Sequence, residues 1–241
     1  MAILTPPSLG ILDLQSELTC FPEPLSGSLR DPASFNSPIM FETVTGGWAD
    51  TVIRGDPALE NACIAAAKSL VERGAVVITA DCGYFIRHQA AVAASVKVPV
   101  VLSSLVLAPA LLRQIPSAAK LGVVCADSTS FTEDLLGVDN PTDRARVAVG
   151  GIEGSKLLQD LCAFTVPQND SKAPLPTLNV ADIETEVAAC VTRLRAAHPE
   201  IAALLFECTA FPIASAAIRR ATKVPVYDIT DVCRMALASV S

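Results

Sequence analysis

The sequence predicts an α/β protein made of two pseudo-symmetric units, each a parallel sheet with helices on both faces. Three observations predict it. Apolar runs of strand length alternate with helical patterns throughout the 241 residues. The strand-like runs are continuously apolar rather than alternating, which is the pattern of strands buried on both faces. Finally, Gly74-Ala-Val-Val-Ile-Thr-Ala-Asp-Cys82-Gly and Glu200-Ile-Ala-Ala-Leu-Leu-Phe-Glu-Cys208-Thr look like copies 126 residues apart. Lys97-Val98-Pro99-Val100 recurs as Lys223-Val224-Pro225-Val226 at that same offset.

Taken in order, residues 9–14 read as a first strand. A loop rich in proline, serine and glycine follows from about Phe21 to Gly47, long enough to cover a site. Asp56-Pro57 supplies a cap with proline at the first helical position, and Gly74 closes that helix. Residues 76–80 are a β-branched strand, 84–96 a helix and 98–102 another strand. The apolar stretch 90–112 resembles a membrane span in length, but Lys97, Pro99, Ser103, Ser104 and Pro109 break it into a helix end, a short strand and the next helix. The second half repeats the theme: strand 121–125, a helix near 130–136, strand 147–149 and a helix near 155–161. A loop at 166–178 with three prolines leads to helix 180–197. Strand 201–206, helix 213–222, strand 224–227 and a last helix at 231–239 complete the chain.

Composition narrows the function. A hydrophobic content of 51% supplies ample core. A net charge of −7 without a basic run argues against nucleic acid or an anionic membrane as partner, so an anionic substrate must be held locally. The first residues, Met-Ala-Ile-Leu-Thr-Pro-Pro, lack a basic region and a cleavage site, so no signal peptide is expected and the cytoplasm is the default compartment. Apolar richness with modest charge fits a homodimer. Eight cysteines (Cys20, Cys63, Cys82, Cys125, Cys162, Cys190, Cys208, Cys233) are scattered without a C-x-x-C, and only His88 and His198 accompany them, so neither a disulfide framework nor a metal site is expected. Most read as small buried hydrophobes.

Cys82 and Cys208 differ from the rest by standing at the carboxyl ends of matching strands, where parallel sheets bind ligands. The residues after each begin helices, so main-chain N–H groups and a helix dipole would favour thiolate and hold a carboxylate. Two opposed thiols suit proton transfer at a carbon α to a carboxylate, one taking the proton and the other delivering one to the opposite face, without metal or organic cofactor. A structural cysteine would be duplicated just as readily. Hydrogen-bond donors near strand ends are Thr79, Ser103, Ser104, Ser128, Thr129, Ser130, Thr209 and Thr230. Asp81 and Glu207 either bond main-chain N–H groups of adjacent loops or relay protons; a charge close to the sulfur would raise the thiol pKa. His88 is either a second acid/base group or an exposed helix residue, and Arg30, Arg54 and Arg87 are candidates to pair with a distal anionic group. Trp48, Tyr84, Phe85 and Phe211 form either an apolar wall or core.

At Ile78-Thr-Ala-Asp-Cys82-Gly-Tyr-Phe85 and Leu205-Phe-Glu-Cys208-Thr-Ala-Phe-Pro212 the chain resembles the aspartate/glutamate racemase superfamily. Gly10-Ile-Leu-Asp-Leu14, Leu121-Gly-Val-Val-Cys-Ala-Asp-Ser128 and Val224-Pro-Val-Tyr-Asp-Ile-Thr230 support the match in the expected order. The resemblance implies two α/β/α sandwich domains around an interdomain active-site cleft, with residues 1–104 plus 230–241 forming the domain that carries Cys82 and 105–229 the domain that carries Cys208. It implies Cys82 and Cys208 as the acid/base pair, and a substrate carboxylate held by Thr79, Gly83, Tyr84, Ser103, Ser104, Ser128, Thr209 and Ala210. Glutamate racemases carry Cys-Asn-Thr and Gly-Cys-Thr-His where this chain has Asp-Cys82-Gly and Glu-Cys208-Thr-Ala, so the histidine of the second motif is absent. The Asp-Cys-Gly form with Pro32-Ala-Ser-Phe35 is similar to the algal dimethylsulfoniopropionate lyases.

The leading expectation is a cofactor-independent racemase or epimerase of a small carboxylic acid or amino acid. The alternatives are a lyase using the same site for β-elimination, and a non-catalytic, redox-responsive binding protein in which Cys82 and Cys208 form a disulfide.

Overall fold

The computed structural model describes residues 7–17, 23–165 and 176–240. Cys20, the start of the proline-rich loop at Phe21, the N-terminal stretch read for a leader and most of the 166–178 loop lie outside the described residues.

Continuous apolar runs form two four-stranded parallel sheets. The first contains β1 (Ser8–Asp13), β2 (Ile39–Thr43), β3 (Ala75–Ala80) and β4 (Val100–Val101), in the order β2-β1-β3-β4. The second contains β5 (Lys120–Cys125), β6 (Val147–Gly151), β7 (Ile201–Phe206) and β8 (Val226–Tyr227), in the order β6-β5-β7-β8. The two orders are the same, and so are the details. The β1·β3 register shifts between Ser8 and Leu9 and the β5·β7 register between Lys120 and Leu121. At equivalent places, a Cβ on Gly10 would stand 2.9 Å from Ala75 Cβ and one on Gly122 2.9 Å from Leu204 Cδ2. The repeat seen in the sequence is therefore a repeat of strand pairing as well as of residues.

The helices are α1 (Ala49–Arg54), α2 (Glu60–Glu72), α3 (Gln89–Ser95), α4 (Ala108–Gln114), α5 (Pro141–Arg144), α6 (Lys156–Ala163), α7 (Val180–Ala197), α8 (Pro212–Thr222) and α9 (Ile229–Ala238). In the second unit α7 and α8 bury Val187, Cys190, Val191, Leu194, Ala214 and Ile218 with Leu204, Phe206 and Val226 of the sheet. Helix α9, capped by Asp228 in a reciprocal box with Asp231, does not stay with the strand that precedes it. Its Ile229, Cys233, Ala236 and Leu237 pack with Leu9, Ile11 and Val77 of the first sheet. The chain thus returns to its starting unit.

Several local expectations are corrected. The 21–47 loop contains strand β2, which pairs with β1 over Leu9↔Ile39 to Asp13↔Thr43, and α1 follows unforeseen. Asp56 caps a 3-10 turn, Pro57–Leu59, that leads into α2. Residues 84–96 are not one helix: a 3-10 turn, Gly83–His88, precedes α3 because the chain must leave the strand end tightly. The helix near 130–136 is instead two 3-10 turns, Ser128–Ser130 and Glu133–Leu136, each held by a local cap. The 90–112 stretch resolves into α3, β4, the 3-10 turn Ser104–Leu107 and α4. Among the described residues no helix is long and apolar enough to cross a membrane.

Candidate active site

The carboxyl ends of the central strands β1, β3, β5 and β7 face one cavity of about 540 Å³, and both Cys82 and Cys208 line it. Each cysteine stands two residues beyond its strand, after Ala80 and Phe206 respectively. Both are free thiols. The two halves are tied beside them by hydrogen bonds that cross the seam. Thr209 Oγ1 donates to Asp81 O at 2.9 Å, Ser104 Oγ donates to Phe206 O at 2.6 Å, and the Tyr84 hydroxyl donates to Asp127 O.

Each sulfur receives a main-chain N–H from the residue two further on, Tyr84 for Cys82 and Ala210 for Cys208. This donor favours the thiolate, as expected from the sequence, but it does not decide the balance. Burial raises both thiols well above the ordinary cysteine value, and the carboxyl of Glu207 raises both further. The helix-dipole expectation is corrected on the same ground. The segment after Cys82 is a 3-10 turn, and α8 begins only at Pro212, four residues past Cys208. Thiols held this way are scarce as thiolates and strong as bases.

The carboxylates beside the cysteines have diverged. Asp81 accepts from Arg30 Nη1 at 2.6 Å, and the same nitrogen donates to Asp13 at 2.7 Å, at the end of β1. Burial pushes Asp81 up; the Arg30 guanidinium opposes this and the second carboxyl, Asp13, adds to it. Arg30 also stacks over Phe41, 4.4 Å from the ring centroid. Glu207 is only 1% exposed and accepts from Ala126 N at 3.2 Å. Burial pushes it up to about 8. Main-chain bonding, the structural role foreseen for these carboxylates, holds for Glu207, whereas Asp81 pairs with a side chain.

Of the residues predicted to bind substrate, Gly83, Thr209 and Ala210 line the cavity with the two cysteines. Tyr84 is fully buried, and it is its N–H that reaches the site. The others are placed elsewhere. Thr79 donates to Val101 O at 2.8 Å, Ser103 caps the 3-10 turn through Leu105 N, and Ser104 bridges the halves; all three are fully buried. Ser128 donates to Glu153 Oε1 at 2.7 Å on the outside. Their hydroxyls are consumed by backbone and loop bonds, which proximity to a strand end could not reveal. Arg54 pairs with Asp50 at an exposed position, and Arg87 reaches Ser130 O at 2.7 Å. His88 is buried rather than exposed, and burial lowers its pKa. Phe85 and Phe211 are core, and Trp48 is not among the lining residues. The apolar wall is instead Leu14, Leu25, Ile53, Leu158, Leu161 and Phe164.

Two groups were missed. Asp13, which pairs with the lining residue Arg30, had a readable signal, an acid ending the first apolar strand. Cys162 had none, since its helical spacing is that of a core residue, yet it faces the cavity from α6 and acts on Cys208.

No protein-family model matches the chain. It is 32% identical over 227 residues to a dimethylsulfoniopropionate lyase of Durusdinium sp. clade D, a match covering 92% of this chain and 71% of that protein. It is 29% identical over 241 residues to dimethylsulfoniopropionate lyase 3 of Emiliania huxleyi (strain CCMP1516), covering 97% of this chain but 60% of that relative's length. Among solved structures, a glutamate racemase isoform from Bacillus anthracis superposes with a TM-score of 0.57 at 14% identity, over 98% of this chain and 82% of the other. Glutamate racemase from Francisella tularensis in complex with D-glutamate gives 0.55 at 15%, over 98% and 81%. Unliganded arylmalonate decarboxylase gives 0.52 at 13%, over 97% and 92%. These structural likenesses show the shared fold.

Proposed function

The chain belongs to the dimethylsulfoniopropionate lyase family within the aspartate/glutamate racemase superfamily, and from that premise we propose that it is a two-thiol lyase acting on a small β-substituted carboxylic acid. The observation that carries this reading is that Cys82 and Cys208 line one cavity with a charged rim and an apolar wall. One thiolate removes the proton α to the carboxylate. The released electron pair forms the Cα–Cβ double bond, and the β substituent departs with the pair of its own bond. For dimethylsulfoniopropionate the products are dimethyl sulfide, acrylate and one proton.

The cavity chemistry supports a substrate of this kind. Arg30 is the one cation among the described lining residues and faces a substrate carboxylate, while Glu23 and Asp81 offset a positive leaving group. Leu158, Leu161 and Phe164 accommodate its methyl groups. The test is incubation of the reduced protein with dimethylsulfoniopropionate, reading dimethyl sulfide in the headspace and acrylate by proton NMR. Release of both in equal amounts, lost in Cys82→Ala, is the expected result; no release from a folded, reduced protein sinks the proposal.

Racemisation on the same pair is the second reading, favoured by the matched N–H donors at the two sulfurs. Its signature in deuterium oxide is solvent deuterium at Cα with the acid otherwise intact.

A further inference from the structure

The two thiol-bearing turns are built alike, each on its own half. Asp81 N–H donates to Leu12 O of β1 at 2.9 Å, and Glu207 N–H donates to Val124 O of β5 at 2.8 Å. Phe85 N–H donates to Cys82 O and Phe211 N–H to Cys208 O, both at 3.1 Å. The backbone of each cysteine is thereby fixed to its own sheet, so the separation of the two is set where the turns meet. They meet on either side of the thiol pair. On one side the residue after Cys208 reaches the residue before Cys82, with Thr209 Oγ1 donating to Asp81 O at 2.9 Å. On the other side the residue after Cys82 lies against the residue before Cys208, so close that a Cβ on Gly83 would sit 2.2 Å from Glu207 O. The repeat makes these two contacts equivalent, but their chemistry differs. Gly83 brings no side chain and lets the turns approach, whereas Thr209 brings a hydroxyl that bonds across the gap and resists its opening.

We propose that Thr209 is a positioning residue, whose hydroxyl tethers the Cys208 turn to the Cys82 turn and so fixes the distance between the two thiols. This replaces the role that the family resemblance implied for it. A hydroxyl has one hydrogen to donate, and that of Thr209 is spent on Asp81 O, so Thr209 is not a donor to a substrate carboxylate although it lines the cavity. The other bonds across the seam do not do this work. Ser104 Oγ donates to Phe206 O, the last residue of β7, while the Tyr84 hydroxyl and Arg87 reach Asp127 O and Ser130 O beyond β5. None of these three joins the immediate neighbours of both cysteines. Loss of the Thr209 bond therefore leaves the halves assembled and frees the thiol spacing.

The experiment compares Thr209→Val, which keeps the shape and removes the hydroxyl, with Thr209→Ser, which keeps the hydroxyl. In dimethyl sulfide release from dimethylsulfoniopropionate, Thr209→Val is expected to lower kcat about 100-fold, the cost of a misplacement of about 1 Å between reacting groups, with KM within about threefold of wild type. Thr209→Ser recovers about tenfold or more of that loss. Ser104→Ala, which also removes a bond across the seam, keeps kcat within about threefold and serves as the control. A raised KM with kcat intact makes the hydroxyl a substrate ligand and overturns the proposal, as does a kcat loss that serine does not recover. Global unfolding of Thr209→Val makes the bond a fastening of the halves and overturns it too. A second readout needs no substrate. Reduced protein is treated with bis-methanethiosulfonate cross-linkers of graded length, and linked Cys82 and Cys208 peptides are quantified by mass spectrometry. A narrow range of lengths bridges the pair in wild type and Thr209→Ser, and a wider range in Thr209→Val. No bridge at any length in wild type, or one length profile shared by all three proteins, overturns the proposal. The kinetic arm rests on the lyase reading and the cross-linking arm does not, so a protein that releases no dimethyl sulfide still reports on the tether.

Discussion

Gly83→Ala is expected to push the two thiols apart without unfolding either sheet. The new Cβ would stand 2.2 Å from Glu207 O, 2.3 Å from Oε1 and 2.8 Å from Cδ, where an ordinary contact is 3.4–4 Å. The first obstacle is main chain of the other half, so no side-chain rotation clears it. The seam must widen by about 1 Å, which strains the Thr209 Oγ1 to Asp81 O bond and moves Cys82 relative to Cys208. Overpacking costs about 1–3 kcal/mol, or roughly 2–12 °C in melting temperature for a chain of this size. A displacement of about 1 Å at reacting groups costs on the order of 100-fold in rate. The assay is initial rate of dimethyl sulfide release well below the melting temperature, with thermal unfolding of the same preparation. Full rate with an unshifted melting curve would refute the close approach of Gly83 and Glu207, and with it the placement of the thiols.

Four further outcomes are expected. Cys82→Ser and Cys208→Ser each fold normally and lose about 1000-fold or more in rate, and a substrate-like carboxylic acid protects both wild-type thiols from iodoacetamide; alkylation of one thiol unaffected by the acid would place it outside the site. Because Glu207 is raised from 4.5 to about 8 in the folded state, the folded protein retains a proton that the unfolded chain releases, and stability falls as pH rises between those values. Urea unfolding should show wild type losing roughly 3 kcal/mol relative to Glu207→Gln between pH 5.5 and 8, and parallel pH profiles would contradict the burial of that carboxyl. Ser104→Ala, which removes the bond to Phe206 O, should cost about 1–2 kcal/mol in stability while leaving the rate within about threefold, whereas a large rise in KM would return Ser104 to the substrate site. Arg30→Met leaves Asp13 and Asp81 facing each other without their cation; with Arg30 27% exposed, about 2–3 kcal/mol of destabilisation is expected in thermal melts, with a raised KM.

The placement of Cys82 and Cys208 was legible because it depends on local facts. An apolar run that is continuous commits to a parallel strand, and a residue just past its end stands at the ligand-binding edge whatever else the chain does. The duplicated segments added that the two edges are equivalent, and the sheets share one order and one register shift. Gly83, Thr209 and Ala210 followed because they adjoin the cysteines in sequence. The hydroxyls of Thr79, Ser103, Ser104 and Ser128 were misread because their partners, Val101, Leu105, Phe206 and Glu153, are settled by packing and not by nearness to a strand end.

By itself, then, the sequence determined the two-unit α/β architecture and the thiols at its strand ends, since periodicity and duplication are properties of the chain alone. Only the tertiary structure decided how the two halves differ chemically. Arg30 arrives from a loop 51 residues before Asp81 and pairs with it, while Glu207 is enclosed against Gly83 with one oxygen unpartnered. Ion pairing and desolvation depend on which distant groups share a low-dielectric space, so two acids that match in sequence meet different partners in the fold.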